Sequence, residues 1–388
     1  MRKKKKTLIS RKMTLIMMII LLCFYFISIM PKPVYASPKS LYVITNIGAV
    51  GGVYNPISAY EIRSTYLVHQ TNQYIPFHGD GAVSLAIDSQ SKTLFVTYES
   101  SNVIQLANAT TFADLGTTTV PSASNLAGIV YDHNKGLLYT VDRKTDDLYI
   151  CQWKPATHLL TVETHVNLTH SSDAYGIALD EINNVLYVAD RDFHEFDWYD
   201  TDTWEHLGTK TTTHDVIGIA VDDKNKLVYT TGWYDYGLYK YNITTDIETA
   251  VLNDTKRKYA SVLGVAVDTD SSLIYVTTYE GSIGYSDVLV VFDSNLNELW
   301  RSGDIGNPTG IAVPRGEVSY ISSGSSGIEY LLVAILGLVG CFVAFRAYMS
   351  KRKKRYTQQT ELSLSVFGKC AFPKCCTHIH LTFLKHFS

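Results

Sequence analysis

Apolar and polar positions follow one pattern that recurs through the middle of the chain. Each copy begins with a short apolar run ending in aspartate, passes through a polar turn, and returns in a second apolar run. An aromatic residue lies seven positions after each aspartate. The anchor aspartates are Asp88, Asp132, Asp180, Asp222 and Asp268, at spacings of 44, 48, 42 and 46 residues. Strands rich in β-branched and aromatic residues at such a period are typical of propeller blades.

Each copy divides into four predicted strands. In the copy at 175–212, they lie at 175–179, 185–189, 195–199 and within 203–212. The inner strands carry small apolar residues such as Gly-Ile-Ala, because blades converge on a common axis and leave little space there. Outer strands alternate apolar and polar residues because one face meets solvent.

The first and last copies are incomplete in opposite ways. Residues 40–44 match a second strand without an inner strand before it, whereas residues 309–313 match an inner strand with little after it. Pairing these two segments in one blade would close a ring and remove its open sheet edges. The sequence therefore predicts an all-β fold, a six-bladed β-propeller closed by its two ends.

The repeat resembles the NHL, YWTD and YVTN family of six-bladed propellers. The stretch GIALDEINNVLYVADRDFHEFDWYD at 176–200 is similar to an NHL-type blade, and YVTT at 275–278 is similar to the YVTN form. The resemblance covers about residues 40–313. Its motifs are structural, so it implies the fold and says little about activity.

The N-terminus carries an export signal. A basic segment, MRKKKKTLISRK, precedes an uncharged apolar run at 14–30, and PKPVYAS follows it. We predict a signal peptide at 1–36 with cleavage after Ala36. The run is long for a signal peptide, so an uncleaved signal anchor is the alternative.

The C-terminal part carries a predicted membrane anchor. Residues 328–349 form an apolar segment long enough to span a bilayer, and five basic residues follow at 351–355. Short basic flanks stay in the cytoplasm. We therefore predict a single-pass protein of the cell membrane, with an ectodomain at 37–322, a linker at 323–327 and a cytoplasmic tail at 350–388.

Charge and cysteine content narrow the function of the exported part. Outside the two ends, at 37–345, there are 17 Lys and Arg residues against 36 Asp and Glu residues, so its net charge is 17 − 36 = −19. Such a surface repels phosphate backbones and excludes nucleic acid as a partner. Cys341 lies in the predicted membrane segment, and Cys151 is the only cysteine of the predicted ectodomain at 37–322, so we predict that the domain forms no internal disulfide.

Candidate binding residues cluster in loops that enter inner strands or leave second strands. The resemblance implies that these loops share one face of the ring, at the mouth of a central channel. The candidates are His78, Asp80, Asp142, Arg143, Asp173, Asp190, Arg191, Asp192, His194, His214, Asp215, Trp233, Tyr234, Tyr279 and Glu280.

Several chemistries suit these residues. Converging carboxylates would hold Ca²⁺ or another divalent metal, and aromatic rings beside acids would hold a glycan or a cationic group. They favour a cell-surface binding module for a protein, glycan or cation. The alternative is a metal-dependent hydrolase or lyase, since propellers of this kind include lactonases and lyases. A purely structural interpretation also applies to each aspartate, because an aspartate that follows a strand commonly accepts the backbone N–H groups of the turn.

Two further groups of residues carry predictions. Sequons predict glycosylation at Asn108, Asn167, Asn242 and Asn253. The tail residues Cys370, Cys375, Cys376, His378 and His380 are candidate metal ligands. Their spacing matches no familiar zinc finger, and acylation or disorder are the alternatives for this segment.

Overall fold

The computed structural model describes residues 39–45, 54–76, 81–232, 237–250, 261–279 and 287–315. The predicted signal segment, membrane helix and tail lie outside these residues, as does Asn253. Within the described ranges, no helix is long and apolar enough to cross a membrane.

The described strands form six antiparallel sheets of four strands each, numbered here as blades 1 to 6. Blade 1 contains β1 (Ser40–Thr45), β2 (Tyr54–Ile62), β3 (Leu67–Pro76) and the last strand of the chain. Blade 2 contains β4 (Ala82–Asp88), β5 (Thr93–Tyr98), β6 (Val103–Asn108) and β7 (Asp114–Thr119). Blade 3 contains β8 (Leu126–Asp132), β9 (Leu137–Asp142), β10 (Asp147–Lys154) and β11 (Leu159–Asn167), with a turn of 3-10 helix at Pro155–Thr157.

The second half of the ring repeats this arrangement. Blade 4 contains β12 (Ala174–Asp180), β13 (Val185–Asp190), β14 (Glu195–Asp200) and β15 (His206–Thr211). Blade 5 contains β16 (Gly218–Asp222), β17 (Leu227–Thr231), β18 (Leu238–Asn242) and β19 (Ile247–Ala250). Blade 6 contains β20 (Ser261–Asp268), β21 (Leu273–Tyr279), β22 (Leu289–Phe292) and β23 (Glu298–Arg301), and β24 (Pro308–Ala312) completes blade 1.

The two ends of the propeller close the ring. Strand β24 pairs antiparallel with β1, with Val43 opposite Ile311 and Tyr42 opposite Ala312. As the inner strand of blade 1, β24 also contacts the inner strands on both sides, β4 and β20. The predicted pairing of 309–313 with 40–44 is therefore confirmed, and with it the six-bladed fold.

The anchor aspartates hold the turn between inner and second strands. Asp180 Oδ1 accepts the backbone N–H groups of Ile182 at 3.0 Å and Asn183 at 2.8 Å. The five anchors are all buried: Asp88, Asp132, Asp180, Asp222 and Asp268. A buried carboxylate is stable only when such donors satisfy it, which explains why the repeat carries aspartate here.

The aromatic residue seven positions later fills the space between blades. These residues are all buried: Phe95, Tyr139, Tyr187, Tyr229 and Tyr275. The Phe95 ring in blade 2 stacks on Tyr131 of blade 3 at 5.8 Å between centroids, and Tyr139 meets Trp204 of blade 4 edge-on at 5.6 Å. Such rings bury large apolar areas and so help to hold neighbouring blades together.

Cys151 is a core residue of blade 3. It is free and fully buried, and burial raises the pKa of its thiol to about 12. A thiol in that environment stays protonated at neutral pH and is inert.

Candidate binding site at the channel mouth

The inner strands line a channel along the axis of the ring. It contains an upper cavity of about 280 Å³ and a lower one of about 110 Å³. Glu99, Tyr175 and Asn307 contribute to the upper wall, and His133 and Arg315 to the lower one. Six aliphatic residues line both cavities: Leu85, Ile129, Ile177, Ile219, Val265 and Ile311. The channel is therefore apolar at its middle and polar at its two mouths.

Two arginines share one carboxylate at the upper mouth. Arg143 lies directly after β9 and donates to Asp173 from Nε at 2.8 Å and Nη2 at 3.3 Å. Arg191, directly after β13, contacts the same carboxylate from Nη2 at 2.5 Å. Asp173 lies in the connection that leads into β12, with a left-handed φ of 71°. Loops from blades 3 and 4 are thereby tied together by charge.

The network extends sideways and into the channel. Glu99 of blade 2 lies 3.5 Å from Arg143 Nη1, and the Arg143 guanidinium lies 4.8 Å from the centre of the Tyr175 ring. Arg191 Nε also lies 3.5 Å from Asp192. Burial opposes the charge on Arg143, but its hydrogen bonds to Asp173 and the nearby charges of Asp173 and Glu99 together raise the pKa of Arg143. The guanidinium is thus a fixed positive charge at the mouth.

The two arginines differ in what they offer a ligand. The Arg143 side chain is 16% exposed and is largely occupied by Asp173, whereas Arg191 is 36% exposed. Phe193, two residues further along the same loop, is 55% exposed. The β13–β14 loop therefore presents a charged group and an apolar ring side by side.

The candidates Asp142 and Asp190 lie buried beneath these loops. Asp142 accepts N–H groups from Lys144 at 2.8 Å and Asn125 at 3.0 Å. Asp190 accepts the N–H of Phe193 at 3.0 Å and that of Ser172. Both carboxylates fix the loops that carry the arginines, so their observed contacts are with the scaffold.

The two candidate histidines that the structure describes differ in exposure. His194 is exposed and ends the β13–β14 loop with a φ of 56°, and its carbonyl accepts the Thr212 N–H at 2.8 Å. His214 is buried, with its ring stacked on Tyr239 at 3.4 Å and Nε2 3.1 Å from Thr230 Oγ1. Asp215, which follows it, is also buried.

The remaining candidates are only partly covered by the structure. His78, Asp80, Trp233, Tyr234 and Glu280 lie outside the described residues, as do the cysteine and histidine residues of the tail. Tyr279 is the last residue of β21. Of the sequons, Asn108, Asn167 and Asn242 each lie at the end of a strand, in blades 2, 3 and 5.

Sequence reasoning missed Glu99 and Tyr175. The repeat does contain a signal for Glu99, because Glu99, Arg143 and Arg191 each directly follow the last residue of a second strand. Aligned copies therefore place one charged residue at the same point in three successive blades. No comparable signal marks Tyr175, whose role depends on how close Arg143 lies across the blade boundary.

Burial of His214 predicts sensitivity to acid. Burial, followed by the neighbouring His194, lowers the pKa of His214 from 6.5 to about 4. The unfolded chain thus binds this proton first, and stability falls as pH drops from about 6.5 to about 4. We expect His214→Phe to remove about 3 kcal/mol of that pH-dependent loss. Urea unfolding at pH 7 and pH 4.5 measures the free energy of unfolding of the wild type and the variant. An equal loss of stability in both proteins between these pH values would contradict the prediction.

Comparisons with known proteins agree with the architecture. No family model and no curated relative matches the sequence. Among solved structures, the chain is similar to one from a nidogen/laminin complex, with a TM-score of 0.56 and 14% identity over 71% of this chain and 98% of that one. It is also similar to a Bacteroides caccae protein of unknown function, with a TM-score of 0.54 and 13% identity over 72% of this chain and all of that one.

These likenesses concern the fold. At 13–14% identity they show a shared backbone arrangement. Together with the six sheets, which form a ring closed by the pairing of β24 with β1, they define the chain as a six-bladed β-propeller.

Proposed function

We propose that this propeller is a cell-surface interaction module that binds a protein through the β13–β14 loop at the channel mouth. The observation that carries the proposal is the exposed pair of Arg191 and Phe193 on a loop held from beneath. Arginine and aromatic residues are the types most enriched at the energetic centres of protein interfaces.

The loop is organised for binding before a partner arrives. Asp190 holds the Phe193 backbone at 3.0 Å, and Asp173 holds the Arg191 guanidinium at 2.5 Å. The loop backbone at Phe193 and the Arg191 guanidinium are therefore held in place before association, which lowers the entropic cost of binding. The bonding geometry suits a partner with a carboxylate for Arg191 and an apolar recess for Phe193.

The fold comparison supports a protein partner. One similar structure is a complex of nidogen with laminin. The mouth is of mixed charge, because Asp173, Asp192 and Glu99 surround the two arginines. Mixed charge favours a specific protein surface over a polyanion.

The location is part of the proposal. The apolar segment at 328–349 and the basic cluster at 351–355 support a single membrane anchor with the propeller outside. The rival function, a metal-dependent hydrolase or lyase at the mouth, has less support, since of the two candidate histidines that the structure describes only His194 is exposed.

Substitutions on opposite faces test the proposal. Intact cells expressing the full chain are treated with a crosslinker that does not cross membranes, and captured proteins are quantified by mass spectrometry. We expect Phe193→Ala and Arg191→Ala to lower the yield of one specific partner at least about tenfold, the effect of losing about 1.4 kcal/mol at a binding hot spot.

Ile182→Ala is the matched control. Ile182 is 62% exposed and lies in the turn between β12 and β13, on the opposite face of the ring. It should leave the yield unchanged. Failure of the crosslinker to reach the chain would contradict the proposed location, while equal yields from all variants would contradict the proposed site.

A further inference from the structure

Three acidic side chains meet on one face of blade 4, and none of the three lines the two channel cavities. Asp190 ends β13, and Glu195 pairs with it across the turn to β14. Asp197 lies two residues further along β14, on the same face of the sheet. One carboxylate oxygen from each of the three lies within 4.8 Å of the others. Such a group costs free energy unless a positive charge or shared protons compensate it.

Asp197 leaves one buried oxygen without a partner. The residue is 0% exposed, and its Oδ1 accepts from His206 Nε2 at 2.8 Å and Thr209 Oγ1 at 2.5 Å. Its Oδ2 is buried and has no hydrogen-bond partner. A buried carboxylate oxygen in that position is strongly unfavourable on its own, so it points to a ligand that the protein atoms do not supply.

The propeller scaffold does not require a carboxylate at this position. In every blade, one residue of the third strand lies opposite the same point of the second strand. In blades 1 to 6 these residues are Ser58, Gln105, Tyr149, Asp197, Tyr239 and Val290. The acid is therefore specific to blade 4, where it meets two further acids.

We infer that Asp190, Glu195 and Asp197 form a binding site for a divalent cation with oxygen ligands, best suited to Ca²⁺. Calcium takes carboxylate oxygens at about 2.3–2.6 Å, so ligands on opposite sides of the ion are about 5 Å apart. The separation of these oxygens, at most 4.8 Å, fits that span.

The surroundings provide orientation and access. His206 and Thr209 fix Asp197 through Oδ1, which leaves Oδ2 for the ion, as outer groups do in metal sites. Glu195 is half-buried and opens the group to solvent, and the exposed His170 stacks on His206 at 3.9 Å. A bound cation would relieve the repulsion among the three carboxylates.

Calcium titration of the purified full chain tests the inference. After treatment with a chelator, we expect one Ca²⁺ per chain by isothermal titration. We also expect a rise of about 5 °C in the unfolding midpoint at roughly a hundredfold excess over the dissociation constant. Glu195→Gln and Asp197→Asn should each weaken binding at least about tenfold, because each removes a charged ligand.

Asp147→Asn in blade 3 is the matched control. Asp147 pairs with Asp142 as Glu195 pairs with Asp190, but Tyr149 occupies the position of Asp197. This variant should bind Ca²⁺ like wild type. If Asp197→Asn does not fold, the Ca²⁺ affinity of Glu195→Gln alone decides whether the three acids bind the ion.

Three results would overturn the inference, which does not depend on the proposed protein partner. The first is a wild-type chain that binds neither Ca²⁺ nor Mn²⁺ at millimolar concentration, which would mean that shared protons alone stabilise the three acids. The second is unchanged affinity in both site variants. The third is an equal loss in the Asp147→Asn control.

Discussion

A chain of residues 37–307 is expected to lose cooperative unfolding, whereas a chain of residues 37–318 keeps it. The shorter chain lacks β24, which pairs with β1 and contributes the buried Ile311 and Ala312. Ile311 packs in one cluster with Leu41 of blade 1 and Tyr275 of blade 6. Its removal opens the ring between these blades and exposes a sheet edge.

The expected loss exceeds about 5 kcal/mol, which is comparable to the whole stability of many domains. Circular dichroism and size-exclusion chromatography of both chains measure it, with the longer chain as control because it retains β24. A shorter chain that remained monomeric and unfolded cooperatively would show that β24 does not close the ring.

Gly176→Ala is expected to destabilise the propeller by at least about 3 kcal/mol. A methyl group at Gly176 would lie 2.3 Å from the carbonyl oxygen of Ile217, the residue directly before the neighbouring inner strand β16. Gly218 meets Leu263 in the same way at 2.3 Å. Because the obstruction is backbone in a closed ring, relief requires neighbouring blades to move apart.

Gly303→Ala provides the matched control. A methyl group there would meet nothing within 4 Å, so the substitution should leave the unfolding midpoint nearly unchanged. The thermal unfolding midpoints of the two variants distinguish a steric clash between inner strands from the general effect of replacing glycine by alanine. Equal midpoints would mean that the inner strands are not packed as described.

The sequence predicted most of the fold because each blade repeats the same solution. A buried carboxylate such as Asp180 needs nearby N–H donors, and the turn after the inner strand supplies them in all five copies that carry the aspartate. The incomplete first and last copies predicted the pairing of β1 with β24. The predicted strands of blade 4 match β12 to β15 to within a few residues.

The candidate site was predicted less well because it depends on contacts between blades. The sequence singled out Asp142 and Arg143 equally, but the first is buried under the loop and the second faces the mouth. One residue in sequence separates the two faces of a strand end. The contact of Arg191 with Asp173 depends on the course of the connection into β12, which the repeat does not specify.

The acidic group of blade 4 shows the same limit. Its residues were visible in DRDFHEFD at 190–197, but no spacing rule indicates that Asp197 lies beside Asp190. That proximity follows from the register of β13 and β14, which places Asp197 opposite Val188. The pairing register of the second and third strands can be assigned only by comparing the same strands in all the blades.

The central claim, that the β13–β14 loop is the binding surface, is tested most directly by crosslinking from single positions in living cells. A photoreactive amino acid is placed at Phe193 in one chain and at Ile182 in another, both exposed and on opposite faces of the ring. We predict that light links a discrete protein partner to position 193 and none to position 182. Crosslinking from position 182 alone, or equally from both positions, would contradict the claim.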